Sequence, residues 1–285
     1  MTAPALETRP TPLPTVVIRP SRGWTALNLR ELWRYRELIF FLTWRDVMVR
    51  YKQTLLGAAW AILKPFLTMV IFYFVFDRLA KVPTDGYPGP IFYFSGLLPW
   101  VLLQDGVTKA GNSLVSGANL ITKVYFPRLA IPLASVVSGL VDFGLSFVVL
   151  LVMMAVYRMD VTLRLLAVPA FMLMALVTAL GIGLWLAAMN VTYRDVGHVT
   201  PFMVQAWMYA SPIVYSANLI TDPLLRSLYG LNPVVGVIQG FRWAILGGME
   251  FPGWLILESV LISWLLLAGG AMYFRRMERS FADVV

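Results

Sequence analysis

Three carboxylates stand inside long apolar stretches of this chain: Asp105, Asp142 and Glu258. Such groups can relay protons, because a charge at the centre of a bilayer costs roughly 2.5–3.5 kcal/mol to insert and is retained where it does work. The plainer use of a lone one such as Asp142 is a hydrogen bond between helices. A second set is cationic. Arg45, Arg50 and Lys52 lie beside Trp44, Val47, Met48 and Tyr51, with charged and apolar residues alternating at helical spacing. That pattern belongs to a helix lying in a membrane interface, where its cations can anchor to anionic lipid or attract an anionic substrate.

Other chemistry is thin. The chain has no cysteine and one histidine, His198, so neither a thiolate nor a histidine metal site is expected. No catalytic residues are assigned, because no nucleophile–base pair of the kind a membrane-embedded glycosyl- or acyltransferase needs is evident. No GxxxxGK[ST] loop occurs. If nucleotide powers this protein, ATP and magnesium belong on a partner subunit, and no cofactor is expected here.

Composition sets the class. The 285 residues are 59% hydrophobic and 13% charged, against about 45–50% and about 25% in soluble domains. The expected fold is an all-α polytopic membrane protein. A formal net charge of +8 could suit nucleic acid, but the basic residues flank apolar runs. Membrane lipids and an anionic substrate are the better partners.

Residues 1–30 carry Pro10, Pro12, Pro14 and Pro20 without an apolar core, and read as a tail rather than a signal peptide. The interfacial helix is expected over 31–53. A six-span domain over 54–274 follows, with spans at 54–76, 91–115, 129–157, 165–189, 201–220 and 254–273. Pro65 is expected to bend the first. Asp105, Lys109 and several glycines are expected to make the far half of the second irregular. Ala179, Gly181 and Gly183 suit close helix packing in the fourth. The apolar run 233–246 is too short to cross, so 222–248 reads as a re-entrant pair. With six spans, sixteen of the twenty-three Lys and Arg fall on the side of both termini, which places the termini, including the 275–285 tail, in the cytoplasm.

Two short polar connections, 118–128 and 190–198, lie on that same side. Lys123, Tyr125, Phe126 and Arg128 offer aromatic anchors and orienting charges to a soluble motor. Aromatics also recur in the spans: Tyr73, Trp100, Phe202, Trp207, Tyr209 and Tyr215. Rings stack on sugar C–H faces while phenol and indole groups hydrogen-bond hydroxyls, so these six are candidates for lining a glycan path. The competing use is an interfacial aromatic belt for Tyr73 and Trp100 and ordinary helix packing for the four in the fifth span.

In order along the chain, RDVMVRYKQTLLGAAWAILKP (45–65), GLLPW (96–100), NLITKVYFPRLAIPLA (119–134), NVTYRDV (190–196), MYASPIVYS (208–216) and LNPVVGVIQGFR (231–242) resemble the membrane subunit of type-2 polysaccharide ABC exporters, which move O-antigen, capsule or teichoic acid chains. The resemblance covers residue 30 to the end. It implies a homodimer in a bacterial inner membrane, bound to two copies of an ATP-binding subunit. It makes 119–126 the main coupling helix, with Asn119 in the contact, and 191–195 the second contact, with Arg194 and Asp195. It makes 222–246 an external closing pair and the substrate a lipid-diphosphate-linked glycan, whose diphosphate Arg45, Arg50 and Lys52 are expected to attract, plain anchoring to anionic lipid being the competing use. Rival readings are a small-molecule, drug or lipid exporter of the same architecture and an ion-coupled flippase.

Overall fold

The computed structural model describes residues 29–52, 57–220, 222–278 and 281. The expected 1–30 tail, the start of the first span and most of the C-terminal tail fall largely outside them. The described residues form helices joined by turns, with no strand among them. In chain order the helices are α1 (Leu29–Arg34), α2 (Arg36–Lys52), α3 (Ala59–Phe72), α4 (Gly89–Ser116), α5 (Ala118–Lys123), α6 (Ala130–Val137), α7 (Gly139–Val156), α8 (Val168–Thr192), α9 (Asp195–Tyr209), α10 (Pro223–Gly230), α11 (Pro233–Leu246) and α12 (Gly253–Met277).

Four helical stretches are long and apolar enough to cross a membrane: Ala59–Leu79, Ala130–Val156, Leu163–Thr192 and Gly253–Met277. The first continues α3 through a π-helical segment, Tyr73–Leu79, and Pro65 stays inside the helix without ending it. The second joins α6 and α7 across Ser138. α4 is 28 residues long, or roughly 42 Å, but its polar half lowers its hydropathy. It needs less apolar surface because it is the central helix, touching α3, α6, α7, α8, α9 and α11. Contrary to expectation its polar half is regular helix: Asp105 and Lys109 pair at i,i+4, 3.2 Å apart, and small residues let α8 come close.

The α4–α8 crossing shows how. A Cβ on Gly106 would stand 2.9 Å from that of Ala179, and one on Gly183 2.5 Å from that of Ala110. On the opposite face of α8, a Cβ on Gly181 would meet the backbone nitrogen of Leu267 in α12 at 2.7 Å. The small residues thus bring three helix backbones together, and α12 packs against α8 and α11.

The expected span at 201–220 is shifted. α9 begins at Asp195 and stops at Tyr209, and residues 210–216 turn without forming a helix. Pro212 lies in that turn, where its missing N–H leaves no helix bond unmade. α10 and α11 form the expected short helical pair. Asp222 Oδ1 accepts the backbone N–H groups of Leu224 at 2.8 Å and Leu225 at 3.2 Å, and Asn232 Oδ1 caps α11 through Val234 N–H at 3.1 Å. Proline follows each cap, where a helix tolerates it. At the other end α2 lies against α6. Its buried Leu42 joins a cluster with Leu114, Ile121, Phe126, Ile131 and Phe274.

Candidate functional site

The α4–α5 and α8–α9 turns share one end of the bundle. Asn119, Lys123 and Tyr125 are exposed, Tyr125 at 70%, as are Tyr193, Arg194 and Asp195. Phe126 is not: it is 5% exposed and packs inside with Ile121 and Leu42. Arg128 turns inward as well, donating to the carbonyl of Glu278 and lying over the Phe281 ring at 5.9 Å. Of the residues assigned to a partner contact, five present themselves and two hold the turn in shape.

Behind these turns sits Asn190, 4% exposed. Its Nδ2 donates to Gly111 O at 3.1 Å and Asn112 Oδ1 at 2.9 Å, while its Oδ1 accepts from the backbone N–H of Gly197 at 3.1 Å. One carboxamide therefore ties α4, α8 and α9 together. A Cβ on Gly197 would stand 3.1 Å from both Asn oxygens, which explains the glycine.

A charged seam runs between α2, α3, α4 and α7. Asp142 accepts from both Arg50 and Tyr51, and Arg50 also donates to Ser138 Oγ at 3.1 Å. Lys109 Nζ lies 3.4 Å from Asp142 and 3.2 Å from Asp105, and Lys64 Nζ lies 3.4 Å from Asp105. Burial first, and the Asp142 carboxylate second, push the Tyr51 hydroxyl up to about 12, so it stays a donor. Asp142 is thus held by helix-to-helix hydrogen bonds. Of the three interfacial cations, Arg50 is engaged by Asp142, Arg45 pairs with Asp46 at 2.8 Å, and Lys52 is exposed. The third intramembrane carboxylate, Glu258, lies against Gly230 with Oε2 buried and lacking a hydrogen-bond partner among the described residues.

The aromatic candidates divide. Phe202 and Tyr209 stand exposed on α9, at 73% and 54%, beside Val199 and Met203. Trp207 is partly buried and donates to Asn232 Oδ1 at 3.0 Å. Trp100 is 1% exposed and meets Trp207 edge-on with centroids 5.8 Å apart, so it supports Trp207 rather than reaching a surface. The Tyr215 hydroxyl lies 2.8 Å from that of Tyr229. Tyr73 accepts from Arg78 Nε at 2.8 Å.

The sequence profile of the ABC-2 type transporter family matches residues 37–246. This chain belongs to that family. It is 30% identical over 259 residues to the O-antigen export system permease protein RfbA of Myxococcus xanthus, covering 90% of this chain and 98% of the relative. It is 26% identical over 256 residues to RfbA of Klebsiella pneumoniae, covering 87% and 95%. With the polysialic acid transport protein KpsM of Escherichia coli it shares 24% over 247 residues, covering 82% and 91%.

Within this ABC-2 chain the residue least visible from sequence is Arg242 on α11. It is fully buried, and Nη1 and Nη2 donate to the carbonyls of Pro212 and Ile213, both at 2.7 Å, with Phe92 O at 3.3 Å and Tyr215 O at 3.4 Å. The guanidinium also stacks on the Phe92 ring, 3.7 Å from its centroid. A planar fork with several donors suits converging carbonyls where an ammonium does not. Arg242 therefore holds the 210–216 turn against α4 and α11. Its one-dimensional signal is only a charge inside an apolar run.

Proposed function

We propose that this ABC-2 chain is the membrane subunit of an ATP-driven exporter that carries a lipid-diphosphate-linked polysaccharide, O-antigen-like in kind, outward across a bacterial inner membrane. The observation carrying the reading is similarity along nearly the whole chain to permeases named for O-antigen and polysialic acid export. The subunit works as a homodimer with two ATP-binding subunits. It has six crossings, the four most apolar stretches together with α4 and α9, and both termini are cytoplasmic. The α10–α11 pair is re-entrant from the external side.

The geometry supports a mechanical role. The motor docks on α5 and on the 193–195 turn, at Asn119, Lys123, Tyr125, Arg194 and Asp195. Its stroke passes into α4, α8 and α9 through the Asn190 node, because a short helix joined to buried helices moves them as a body. The exposed stripe of α9, with Phe202 and Tyr209, and the exposed face of α3 offer the path, where rings slide along sugar faces without a fixed binding register. Lys52, exposed at the interface, gathers the anionic headgroup.

The test is reconstitution. A tagged copy purified in mild detergent from its native host is expected to bring an ATP-hydrolysing subunit with it, one per copy of this chain. Inside-out vesicles bearing the complex are expected to take up lipid-linked glycan only with ATP. A dimer that captures no ATPase, with transport that follows the membrane potential, would refute the proposal.

A further inference from the structure

Among the described residues the seam holds three cations and two carboxylates. Arg50 and Lys109 suffice for Asp142 and Asp105 when both carboxylates are ionised, and Lys64 is the surplus. It is also the most exposed of the three cations, its side chain at 56% against 29% for Lys109 and 26% for Arg50. Lys64 sits six residues into α3, on the stripe formed by Trp60, Leu63, Leu67 and Ile71, all exposed. Its ammonium does not reach for the end of the helix. It is turned 3.4 Å from Asp105, which stands eleven residues before the end of α4, about 16 Å inward. A surplus ammonium at that depth requires water or an anion on its open side.

The side of Asp105 turned away from Lys64 opens on a small cavity. The cavity between α3, α4 and α7, lined by Ala61, Pro65, Asp105, Asp142 and Ser146 among others, holds ≈ 20 Å³, room for about one water. An anion must therefore meet Lys64 from the exposed face of α3. The interfacial cations Arg45 and Arg50 are already paired, whereas Lys64 is held by one loose contact that a better acceptor can replace.

We propose that Lys64 is the intramembrane contact for the diphosphate of a lipid-linked substrate. The proposal rests on the exporter reading above. The polyprenyl diphosphate travels along the exposed stripe of α3, and its oxygens replace Asp105 on the Lys64 ammonium. Lys109, 3.2 Å from Asp105, keeps that carboxylate neutralised while Lys64 is away. In a two-fold dimer the site occurs twice.

The experiment uses the complete complex with its ATPase subunit in nanodiscs and a glycan-free polyprenyl diphosphate as probe. Lys64→Gln is expected to weaken binding about tenfold or more, and Lys64→Arg to retain it. Asp105→Asn, which releases Lys64, is expected to bind as tightly as wild type or tighter. Equal binding by Lys64→Gln and wild type overturns the site, as does loss of binding in Asp105→Asn. Competition by phosphatidylglycerol as strong as by the diphosphate also overturns it, since the lysine is then a lipid anchor. If Lys64→Gln fails to assemble, the Lys64→Gln/Asp105→Asn pair, which removes both charges together, gives the same reading. A wild-type complex that binds no polyprenyl diphosphate refutes the exporter reading instead.

Discussion

Asn190 and Asn112 meet side chain to side chain at 2.9 Å, joining the helix that leads into α5 to the one that leads into the 193–195 turn. The two surfaces offered to a motor are therefore parts of one rigid end. Replacing Asn190 with Leu keeps the volume but leaves Gly111 O and Gly197 N–H without this partner. Each such loss costs about 1–3 kcal/mol when buried. The expected result is a modest fall in Tm and a clear fall in glycan exported per ATP hydrolysed. An Asn190→Leu protein with unchanged stoichiometry of transport to hydrolysis would remove the coupling role.

Tyr125 and Phe126 are adjacent yet belong to different problems. Tyr125→Ala removes an exposed ring and is expected to weaken capture of the ATPase subunit while leaving Tm unchanged. Phe126→Ala opens a hole in the cluster around Leu42 and Ile121, at a cost of about 3–5 kcal/mol, and is expected to lower Tm directly. Thermal melts and co-purification separate the two; equal effects on both readouts would contradict the assignment.

Arg242 and Gly96 must be read together, because a Cβ on Gly96 would stand 2.8 Å from Arg242 Nη2. The guanidinium is fixed by its carbonyl partners and has nowhere to retreat. Gly96→Ala is expected to destabilise by about 1–3 kcal/mol, and Arg242→Lys by a similar amount or more, since an ammonium cannot bridge the same acceptors. Gly144→Ala, where a new methyl meets open space, is the matched control. A Tm for Gly96→Ala equal to that control would show that the turn yields.

Tyr51 gives a pH signature. Its hydroxyl is raised from 10.0 in the unfolded chain to about 12, so the folded state favours the protonated phenol. Its contribution is complete below about pH 10 and disappears as pH rises through about 12. The stability gap between wild type and Tyr51→Phe in detergent is expected to be constant up to pH 10 and to close above it. A gap that widens with alkalinity would reverse the sign and discard the Tyr51–Asp142 bond.

The helices were legible because hydropathy is local. Apolar runs broken by at most one charge marked α3, α6–α7, α8 and α12, and the proline and cap residues at 222–223 and 232–233 marked the short pair. The charge pattern from 44 to 52 marked α2 as a helix. Even the close packing of α8 could be read, since glycine at 181 and 183 has few other uses in a regular apolar helix. The family could be read from ordered motifs.

What only the tertiary structure decided is partnership, because burial and pairing depend on residues distant in sequence. Asp142 read first as a hydrogen bond between helices, with proton carriage the lesser use, but its partner Arg50, ninety-two positions away, came only from the fold. Trp100 and Phe126 have the composition of contact residues but sit inside, behind neighbours that no local pattern reveals. α9 ends at Tyr209 because the chain can instead give its carbonyls to Arg242 thirty residues later. Sequence determined which segments are apolar enough to cross a membrane, through the cost of placing backbone and charge in hydrocarbon. The fold decided which of the charges remaining there are satisfied, and so left Lys64 as the surplus.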